Sequence, residues 1–343
     1  MATLLKNLNL AQNIFEGPTS ILEQLSSLRV LDVSANKFGD SLLRSLSKLN
    51  NLVYLDLSLY GLHLSNLHFF TNLTSLSVLI LGSNELQGPT HEALTSTFCR
   101  LSVLDLSYNK ISGLLPTFIR DPSSYPENRL KELYLENTKF SDFFPEGLTV
   151  HKNLEIIDIS NSLLYGGIPF SLDRLTNLKF LRIANNKLNG SISSSIGQLS
   201  NLEELDVSNN LFTGIVSELH FAKLSKLKKL HLSKNLVLSL QRLDLGENKL
   251  KDAFPAWIGE KLQKLELLRL NSNQFYGAIP LELCQLSSLC WLNLAGNKLD
   301  GNIPLCFGNL SCMIPGSLVW PGYVFGQRVE SFMKGRPLEY VGE

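Results

Sequence analysis

Apolar and polar residues alternate in a phrase that recurs along most of the chain, Leu-x-x-Leu-x-Leu-x-x-Asn. The phrases open at Leu5, Leu28, Leu52, Leu76, Leu101, Leu130, Leu154, Leu178, Leu202, Leu227, Leu240, Leu265 and Leu289. Most openings lie 23 to 29 residues apart, whereas the step from Leu227 to Leu240 is only 13 residues long. The alternation predicts short strands in which Leu55 and Leu57 point inward and Asp56 points outward. Thirteen such strands are expected to stack in parallel, about 4.8 Å apart, as one concave sheet.

The last position of the phrase is Asn in most repeats: Asn13, Asn36, Asn84, Asn109, Asn186, Asn210, Asn235, Asn248, Asn273 and Asn297. A tightly turning coil encloses backbone polar groups that need partners, and an Asn side chain both donates and accepts hydrogen bonds. Tyr60, Thr138 and Ser162 take this place in three repeats. We expect the coil to loosen locally at those three positions.

A second phrase, Leu/Phe-x-Gly-x-Ile-Pro, follows the Asn in several repeats, as in residues 275–280 and 299–304. Gly permits a turn with positive φ, and Pro ends the following stretch because it has no N–H to donate. The segments that return to the next strand, such as residues 171–177, are short. They predict single turns of 3₁₀ or α-helix.

A period near 24 residues with this phrase indicates a leucine-rich-repeat solenoid. The predicted fold is an α/β solenoid, a right-handed superhelix with a concave parallel β-sheet and short 3₁₀ or helical turns on the convex side. We assign residues 1–312 to about 13 repeats and residues 313–343 to a non-repeat tail. The five residues from Asn235 to Leu240 reach at most about 18 Å. Because a full return segment is missing there, we expect a seam near residues 233–240.

The two phrases together resemble the plant-specific class of leucine-rich repeats. That class includes receptor-like kinases, receptor-like proteins and polygalacturonase-inhibiting proteins. Residues 281–289 and 303–310 are similar to the late repeats of receptor-like proteins, and residues 332–340 resemble the start of their non-repeat island. The family also has a signal peptide, cysteine-paired caps, further repeats and one membrane helix. Since none of these is found in this sequence, we expect a fragment or a truncated paralogue.

Charge and hydropathy narrow the possible partners. Lys+Arg and Asp+Glu both number 31, so the formal net charge is zero and no basic field favours nucleic acid. The N-terminal residues belong to the first repeat, where Lys6 and Asn7 interrupt any signal-peptide core. No run of about 18 apolar residues is present, which predicts no membrane span in this chain. The sequons at Asn72, Asn189 and Asn309 nevertheless suit glycan acceptors in a secretory compartment.

Catalytic and metal chemistry are not indicated. The six histidines are scattered over different repeats, and neither Cys-x-x-Cys nor Gly-x-Ser-x-Gly is present. We therefore expect no metal, no cofactor and no enzymatic activity. Cys284 and Cys306 are 22 residues apart, as are Cys290 and Cys312. Their Cα atoms are expected roughly 8 Å apart, just beyond the usual disulfide limit.

A local bend would allow a disulfide, for which Cys284 with Cys306 is the preferred pair. Free buried thiols are the alternative, and Cys99 has no evident partner.

The outward positions of the predicted sheet carry the candidate ligand contacts. Asp is the common residue between the second and third leucines, and Tyr134, Arg182, His231 and Arg269 are the departures from it that we select as candidate ligand contacts. Phe180 stands two residues before Arg182, and Trp291 takes the same position on the predicted strand that follows the strand of Arg269. Aromatic residues beside Arg are typical of binding hot spots. Ordinary scatter of surface residues is the alternative interpretation.

The resemblance implies a ligand-binding segment of a plant cell-surface receptor-like protein. It would recognise a peptide, a protein or a glycan in defence or developmental signalling, on the extracellular side of the plasma membrane. The complete receptors of the family also engage a co-receptor kinase. A soluble protein similar to the polygalacturonase inhibitors, and a truncated paralogue that does not signal, are the alternatives.

Overall fold

The structure is a computed structural model of the chain. It describes residues 4–39, 41–63, 72–89, 100–120, 129–215, 220, 223–224, 226–232, 234–235, 237–239, 242–246, 248, 250–251, 253–310, 330–333 and 336–339. Cys99 and Cys312 lie outside these residues, as do most of the predicted tail and part of the predicted seam.

The Leu-x-x-Leu-x-Leu phrases form short parallel strands. They are β1 (Asn7–Asn9), β2 (Val30–Asp32), β3 (Tyr54–Asp56), β4 (Val78–Ile80), β6 (Val103–Asp105), β8 (Glu132–Tyr134), β10 (Ile156–Asp158), β12 (Phe180–Arg182), β14 (Glu204–Asp206), β16 (Lys229–His231), β18 (Arg242–Asp244), β19 (Leu267–Arg269) and β21 (Trp291–Asn293). In most of them the central residue is buried and the flanking residues are half-buried. The leucine-rich-repeat solenoid predicted from the phrases is therefore the observed fold.

In the residues that the structure describes, the inner strands belong to two parallel sheets. The inner strands from β1 to β16 form a 10-stranded sheet, and β18, β19 and β21 form a separate 3-stranded sheet. The break falls at the step where the sequence lacks a return segment. In a regular repeat, Glu155 O accepts hydrogen bonds from Lys179 N and Phe180 N, whereas at the break Lys228 O accepts one from Lys251 N at 3.2 Å. Because the residues of a return segment are missing, the chain cannot bring the next inner strand into register with β16.

A second row of short strands, which the sequence analysis did not predict, follows the Asn positions. The strands are β5 (Gln87–Pro89), β7 (Lys110–Gly113), β9 (Lys139–Phe140), β11 (Tyr165–Gly166), β13 (Lys187–Ser191), β15 (Leu211–Ile215), β17 (Val237–Ser239), β20 (Tyr276–Ala278) and β22 (Lys298–Asp300). The inner strands pair equivalent residues, as Leu268 with Leu292. In the second row, however, Gly277 pairs with Leu299 and not with its equivalent, Gly301. Neighbouring coils are thus staggered by two residues on this side.

The glycine of the second phrase makes this row possible. Gly166 has a φ of +82°, and a Cβ atom there would lie 2.7 Å from Cδ1 of Phe143. Both the backbone conformation and the close approach of Phe143 favour glycine at this position. The turn predicted from the phrase is present, and it also carries strand pairing.

Short helical turns, as predicted, lie on the side of the described coils opposite the inner strands. The α-helical turns are Ser41–Leu46, Thr117–Arg120 and Trp257–Lys261, and the 3₁₀ turns are Ser20–Gln24, Glu146–Val150, Phe170–Arg174, Ser194–Gln198, Leu281–Gln285 and Leu305–Asn309. The repeat leucines form one continuous core between these turns and the inner strands. Two further strands, β23 (Glu330–Met333) and β24 (Arg336–Glu339), pair antiparallel in the tail.

The Asn ladder has the predicted role. Asn84 is buried, and its Nδ2 donates to Leu57 O and Leu81 O, both at 2.9 Å. Its Oδ1 accepts from Tyr60 N at 3.1 Å and Leu62 N at 3.0 Å. One side chain therefore links two consecutive coils through four backbone groups.

Where Thr138 and Ser162 replace Asn, the inner strand pairing continues without a break from β8 through β10 to β12. The Thr138 hydroxyl donates to Leu135 O at 2.9 Å and lies 3.0 Å from the Ser162 hydroxyl. This pair of hydroxyl groups substitutes for the missing amide across the two coils. The geometry shows no gap at these positions.

Candidate functional site

The inner sheet brings four of the six predicted contact residues together. Equivalent positions on the five neighbouring inner strands β8, β10, β12, β14 and β16 hold Tyr134, Asp158, Arg182, Asp206 and His231. Phe180 lies in the neighbouring row, two residues before Arg182 on β12. We call Tyr134, Phe180, Arg182 and His231 the central cluster.

Arg269 and Trp291 lie on the separate 3-stranded sheet and do not share a strand pairing with the central cluster. Arg269 Nε donates to Asn271 Oδ1 at 2.7 Å. Trp291 pairs opposite Leu267 and is half-buried. The sequence series placed them in the same rows as the central cluster, but the break after β16 interrupts those rows.

Arg182 is the electrostatic centre of the cluster. Its Nε donates to Glu204 Oε1 at 2.7 Å and its Nη2 donates to Glu204 Oε2 at 3.0 Å. Its Nη1 also lies 3.6 Å from Asp158 Oδ2, and its guanidinium carbon lies 5.0 Å from the centre of the Phe180 ring. The sequence analysis missed this pairing because Glu204 stands on the next coil in the other outward row. A comparison of diagonal neighbours between repeats would have found it.

The two carboxyl groups next to Arg182 have pKa values that are shifted in opposite directions. The hydrogen bonds from Arg182 lower the pKa of Glu204, against the opposing effect of burial. Burial raises the pKa of Asp158, although hydrogen bonds from Ser160 and the charge of Arg182 lower it. Arg182 therefore compensates for two carboxylates, and its side chain remains 30% exposed.

Tyr134 also pairs with a carboxylate, which lies on its own strand. Its hydroxyl donates to Glu132 Oε2 at 2.9 Å. Burial, followed by the hydrogen bond to Glu132, raises the pKa of Tyr134 well above its ordinary value. The phenol stays protonated at physiological pH, so it can present a ring and a hydroxyl donor but not a negative charge.

The common Asp of the outward row has a local structural role. The Oδ1 atoms of Asp32, Asp56 and Asp206 each accept hydrogen bonds from the backbone N–H and the hydroxyl of the Ser two residues later. Asn9 and Asn293 occupy the same position and accept from the backbone N–H two residues later. Where Asp or Asn occupies this position, its short side chain accepts from the turn, and the negative charge is dispensable for that hydrogen bond.

Oppositely charged residues also alternate along the edge of the central strands. Lys131, Glu155, Lys179, Glu203 and Lys228 directly precede β8 to β16. Lys179 Nζ lies 2.6 Å from Glu155 Oε2, and Lys228 Nζ lies 2.5 Å from Glu203 Oε2. Because both pairs are substantially exposed, they contribute little to stability. They do leave this edge nearly neutral.

Cys284 and Cys306 form a disulfide between consecutive 3₁₀ turns, with their Cα atoms 5.7 Å apart. The expected separation was too long because it assumed an extended offset. Two residues of 3₁₀-helix advance the chain by only about 4 Å. Cys290 is disulfide-bonded as well. None of these three cysteines therefore carries a free thiol.

The structure places the Asn72 and Asn189 side chains in solvent. Asn189 lies on β13 in the second row of strands. Asn309 ends the last 3₁₀ turn, and its side chain lies outside the described atoms. Within the described ranges, no helix is long and apolar enough to cross a membrane.

Comparisons with known proteins agree with the geometry. Models described as leucine-rich repeat match residues 239–299 and residues 27–49, 100–121, 177–199 and 201–221. Receptor-like protein 18 of Arabidopsis thaliana is 32% identical over 300 residues, which cover 83% of this chain and 34% of that protein. Receptor-like protein 35 of the same plant is 40% identical over 112 residues, or 32% of this chain and 11% of that protein.

The chain is a plant-type leucine-rich-repeat protein related to the receptor-like proteins. It spans about a third of the length of receptor-like protein 18. Solved receptor ectodomains share the fold of this leucine-rich-repeat protein. The plant peptide hormone receptor RGFR1, in complex with RGF2, is 28% identical with a TM-score of 0.60, over 89% of this chain and 54% of that chain. The Arabidopsis receptor kinase HAESA, in complex with the peptide hormone IDA and the co-receptor SERK1, is 29% identical with a TM-score of 0.51, over 90% and 60%.

Proposed function

We propose that the chain is a ligand-binding segment of a plant cell-surface receptor-like protein and that its inner face contacts the ligand without catalysis. The observation that carries this proposal is the central cluster, in which the Arg182 guanidinium lies over the Phe180 ring two strands away from Tyr134 on the same sheet. Aromatic and Arg side chains on a preformed surface provide contact area at little cost in entropy.

The ligand class follows from the character of the surface. Arg182 is held by Glu204 and Asp158, so it offers only its remaining exposed edge and the neighbouring Phe180 ring. Such a surface suits a peptide or protein segment, or a glycan that stacks on an aromatic ring. The ligand would act in defence or developmental signalling. The related ectodomains RGFR1 and HAESA, solved with peptide hormones, support a peptide in particular.

The partners and location of the complete receptor extend the proposal. We expect the segment to lie on the extracellular side of the plasma membrane, where exposed Asn72 and Asn189 would receive glycans. A co-receptor kinase, as in the HAESA complex, would join the complete receptor. Glycopeptide mapping after expression in plant cells tests the location, and unmodified asparagines in a secreted chain would count against it.

The inner-face proposal can be tested by capture from the plant extracellular fluid. Immobilised full chain is compared with the Phe180→Ala variant and with Phe170→Ala, whose ring is 78% exposed on the 3₁₀ turn of the opposite side. Molecules that are lost with Phe180→Ala and kept with Phe170→Ala support the proposal. Equal capture by all three forms would overturn it. Inhibition of a fungal polygalacturonase by the purified chain would instead favour the soluble-inhibitor function.

A further inference from the structure

A second part of the inner face differs in character from the central cluster. Strands β3, β4 and β6 place Tyr54, Val78 and Val103 side by side in one outward row. The next row holds Asp56, Ile80 and Asp105 in the same register. All six side chains are half-buried. We call these six residues the acidic-apolar face.

The rim of this face is unusual. Leu59 and Tyr108 have φ values of +54° and +53°, and they are 59% and 50% exposed. Asn161 and Asn209 occupy the same repeat position elsewhere, and Asn tolerates a positive φ better than Leu or Tyr does. Ser83 occupies the position between them. Two large exposed side chains, those of Leu59 and Tyr108, therefore occupy the repeat positions before and after the small Ser83.

The carboxylates of this face lack the compensation found in the central cluster. Asp56 and Asp105 accept hydrogen bonds from Ser58 and Ser107. Among the ion pairs between described residues, none includes either carboxylate. The outward residues of the inner strands β1, β2, β3, β4, β6 and β8 include four carboxylates and no Lys or Arg. Burial, together with the charges of Asp32 and Asp105, also raises the pKa of Asp56. The face thus carries negative charge beside an apolar strip.

We propose that the acidic-apolar face binds an extended basic segment of a polypeptide, with two Arg or Lys side chains three residues apart. The inference rests on the proposed function, since it names the chemistry of the ligand segment. Asp56 and Asp105 are separated by two strand spacings, about 9.6 Å. A segment in polyproline II conformation repeats its face every three residues, about 9.3 Å. The aliphatic stems of the two basic side chains would cover Ile80 and its neighbours.

The chain itself supplies the design of the test variants. Asn9-Leu-Ala11 and Asn293-Leu-Ala295 occupy the place of Asp-x-Ser and retain the hydrogen bond to the backbone. The variant Asp56→Asn/Ser58→Ala/Asp105→Asn/Ser107→Ala therefore removes both charges, keeps both turns and creates no glycosylation sequon. Asp206→Asn/Ser208→Ala makes the same change on β14, outside the face. It serves as the matched control.

The probe is a fluorescein-labelled peptide, Pro-Arg-Pro-Val-Arg-Pro, with a citrulline-for-arginine peptide of the same shape as its neutral counterpart. Fluorescence anisotropy with the full chain at low salt is expected to show saturable binding of the arginine peptide. Loss of two exposed charge pairs should weaken binding about fivefold or more, both in the four-substitution variant and with the citrulline peptide. The Asp206→Asn/Ser208→Ala control should bind as the unaltered chain does, and added salt should weaken binding.

Three outcomes would overturn the inference. They are no saturable binding of the arginine peptide up to 1 mM, equal weakening in the control, and undiminished binding of the citrulline peptide, which would indicate an apolar occupant. These results are independent of the Phe180→Ala capture experiment. Capture that depends on Phe180, without arginine-peptide binding, would leave the proposed function standing and remove this inference alone.

Discussion

Arg182 holds Glu204 of the next coil through two parallel hydrogen bonds of 2.7 and 3.0 Å. Glu204 is only 7% exposed, so the pair lies at the boundary between the core and the inner face. The same guanidinium lies over the face of the Phe180 ring. Arg182 therefore contributes both to the stability of two coils and to the surface that we propose binds the ligand.

Replacing Arg182 with Met should destabilise the protein, because Glu204 would remain largely buried with only the more distant Lys229, whose Nζ lies 3.4 Å from Glu204 Oε2, as a charged partner. We expect a loss of about 1–3 kcal/mol, less than for a fully buried pair because Arg182 is partly exposed. Urea unfolding followed by circular dichroism measures the change. Lys179→Met breaks the exposed pair with Glu155 and should have a smaller effect. Equal losses in the two variants would contradict the assignment of Glu204 as a buried partner.

The cost of Arg182→Met should depend on pH. The folded-state pKa of Glu204 lies below its ordinary value of 4.5, so the pair stabilises the fold above pH 4.5. This stabilisation is lost as the pH falls through the lowered pKa, because the folded carboxylate is then protonated. The difference in unfolding midpoint between the unaltered chain and the variant should be constant from pH 7 to 5.5 and smaller at pH 3.5. A difference that stays constant to pH 3.5 would refute this linkage.

Replacing Asn84 with Ala should remove its side-chain hydrogen bonds to four backbone groups of two coils, of which Leu81 O keeps a second donor in Asn109 Nδ2. We expect a loss of about 2–4 kcal/mol in the free energy of unfolding. Asn13→Ala is the control, since the exposed Asn13 donates to Leu10 O and Ala11 O near solvent, and it should cost less than about 1 kcal/mol. A comparable loss at both sites would show that ladder position, rather than burial, determines the effect.

Gly259→Ala should disrupt the contact between successive helical turns. A Cβ atom at Gly259 would lie 2.1 Å from the carbonyl of Glu282, whereas one at Gly308, the equivalent residue two repeats later, meets nothing within 4 Å. Gly259→Ala is expected to cost about 2 kcal/mol or more through overpacking. Gly308→Ala should be neutral or slightly stabilising. Thermal melting of the two variants distinguishes them, and similar melting temperatures would argue against the close packing.

The sequence predicted those features that depend on one repeat at a time. The Leu55–Leu57 alternation predicted the inner strands, and the chemistry of Asn84 predicted that its side chain would donate to and accept from backbone groups. Features that join two coils were harder to predict. The Arg182–Glu204 pair and the short Cys284–Cys306 distance both depend on how far one coil is displaced along the next. The repeat period alone does not define that displacement.

The arrangement of the outward residues was also harder to predict, because it too depends on how neighbouring coils are placed. The series that identified Tyr134, Phe180, Arg182 and His231 located them on one sheet, but it treated each row separately. It therefore placed Arg269 and Trp291 in continuous rows with them. The acidic-apolar face was also overlooked, because Asp56 and Asp105 were regarded as common residues and their position on either side of Ile80 was not considered.

The missing return segment near β16 has a consequence for how the chain unfolds. Repeat proteins melt as single units only when every coil is strongly coupled to its neighbours. In the described residues the inner ladder stops at β16, while β15 and β17 still pair in the second row. Cooperativity should be weakest at this step, so gradual heating is expected to release the two blocks of coils one after the other.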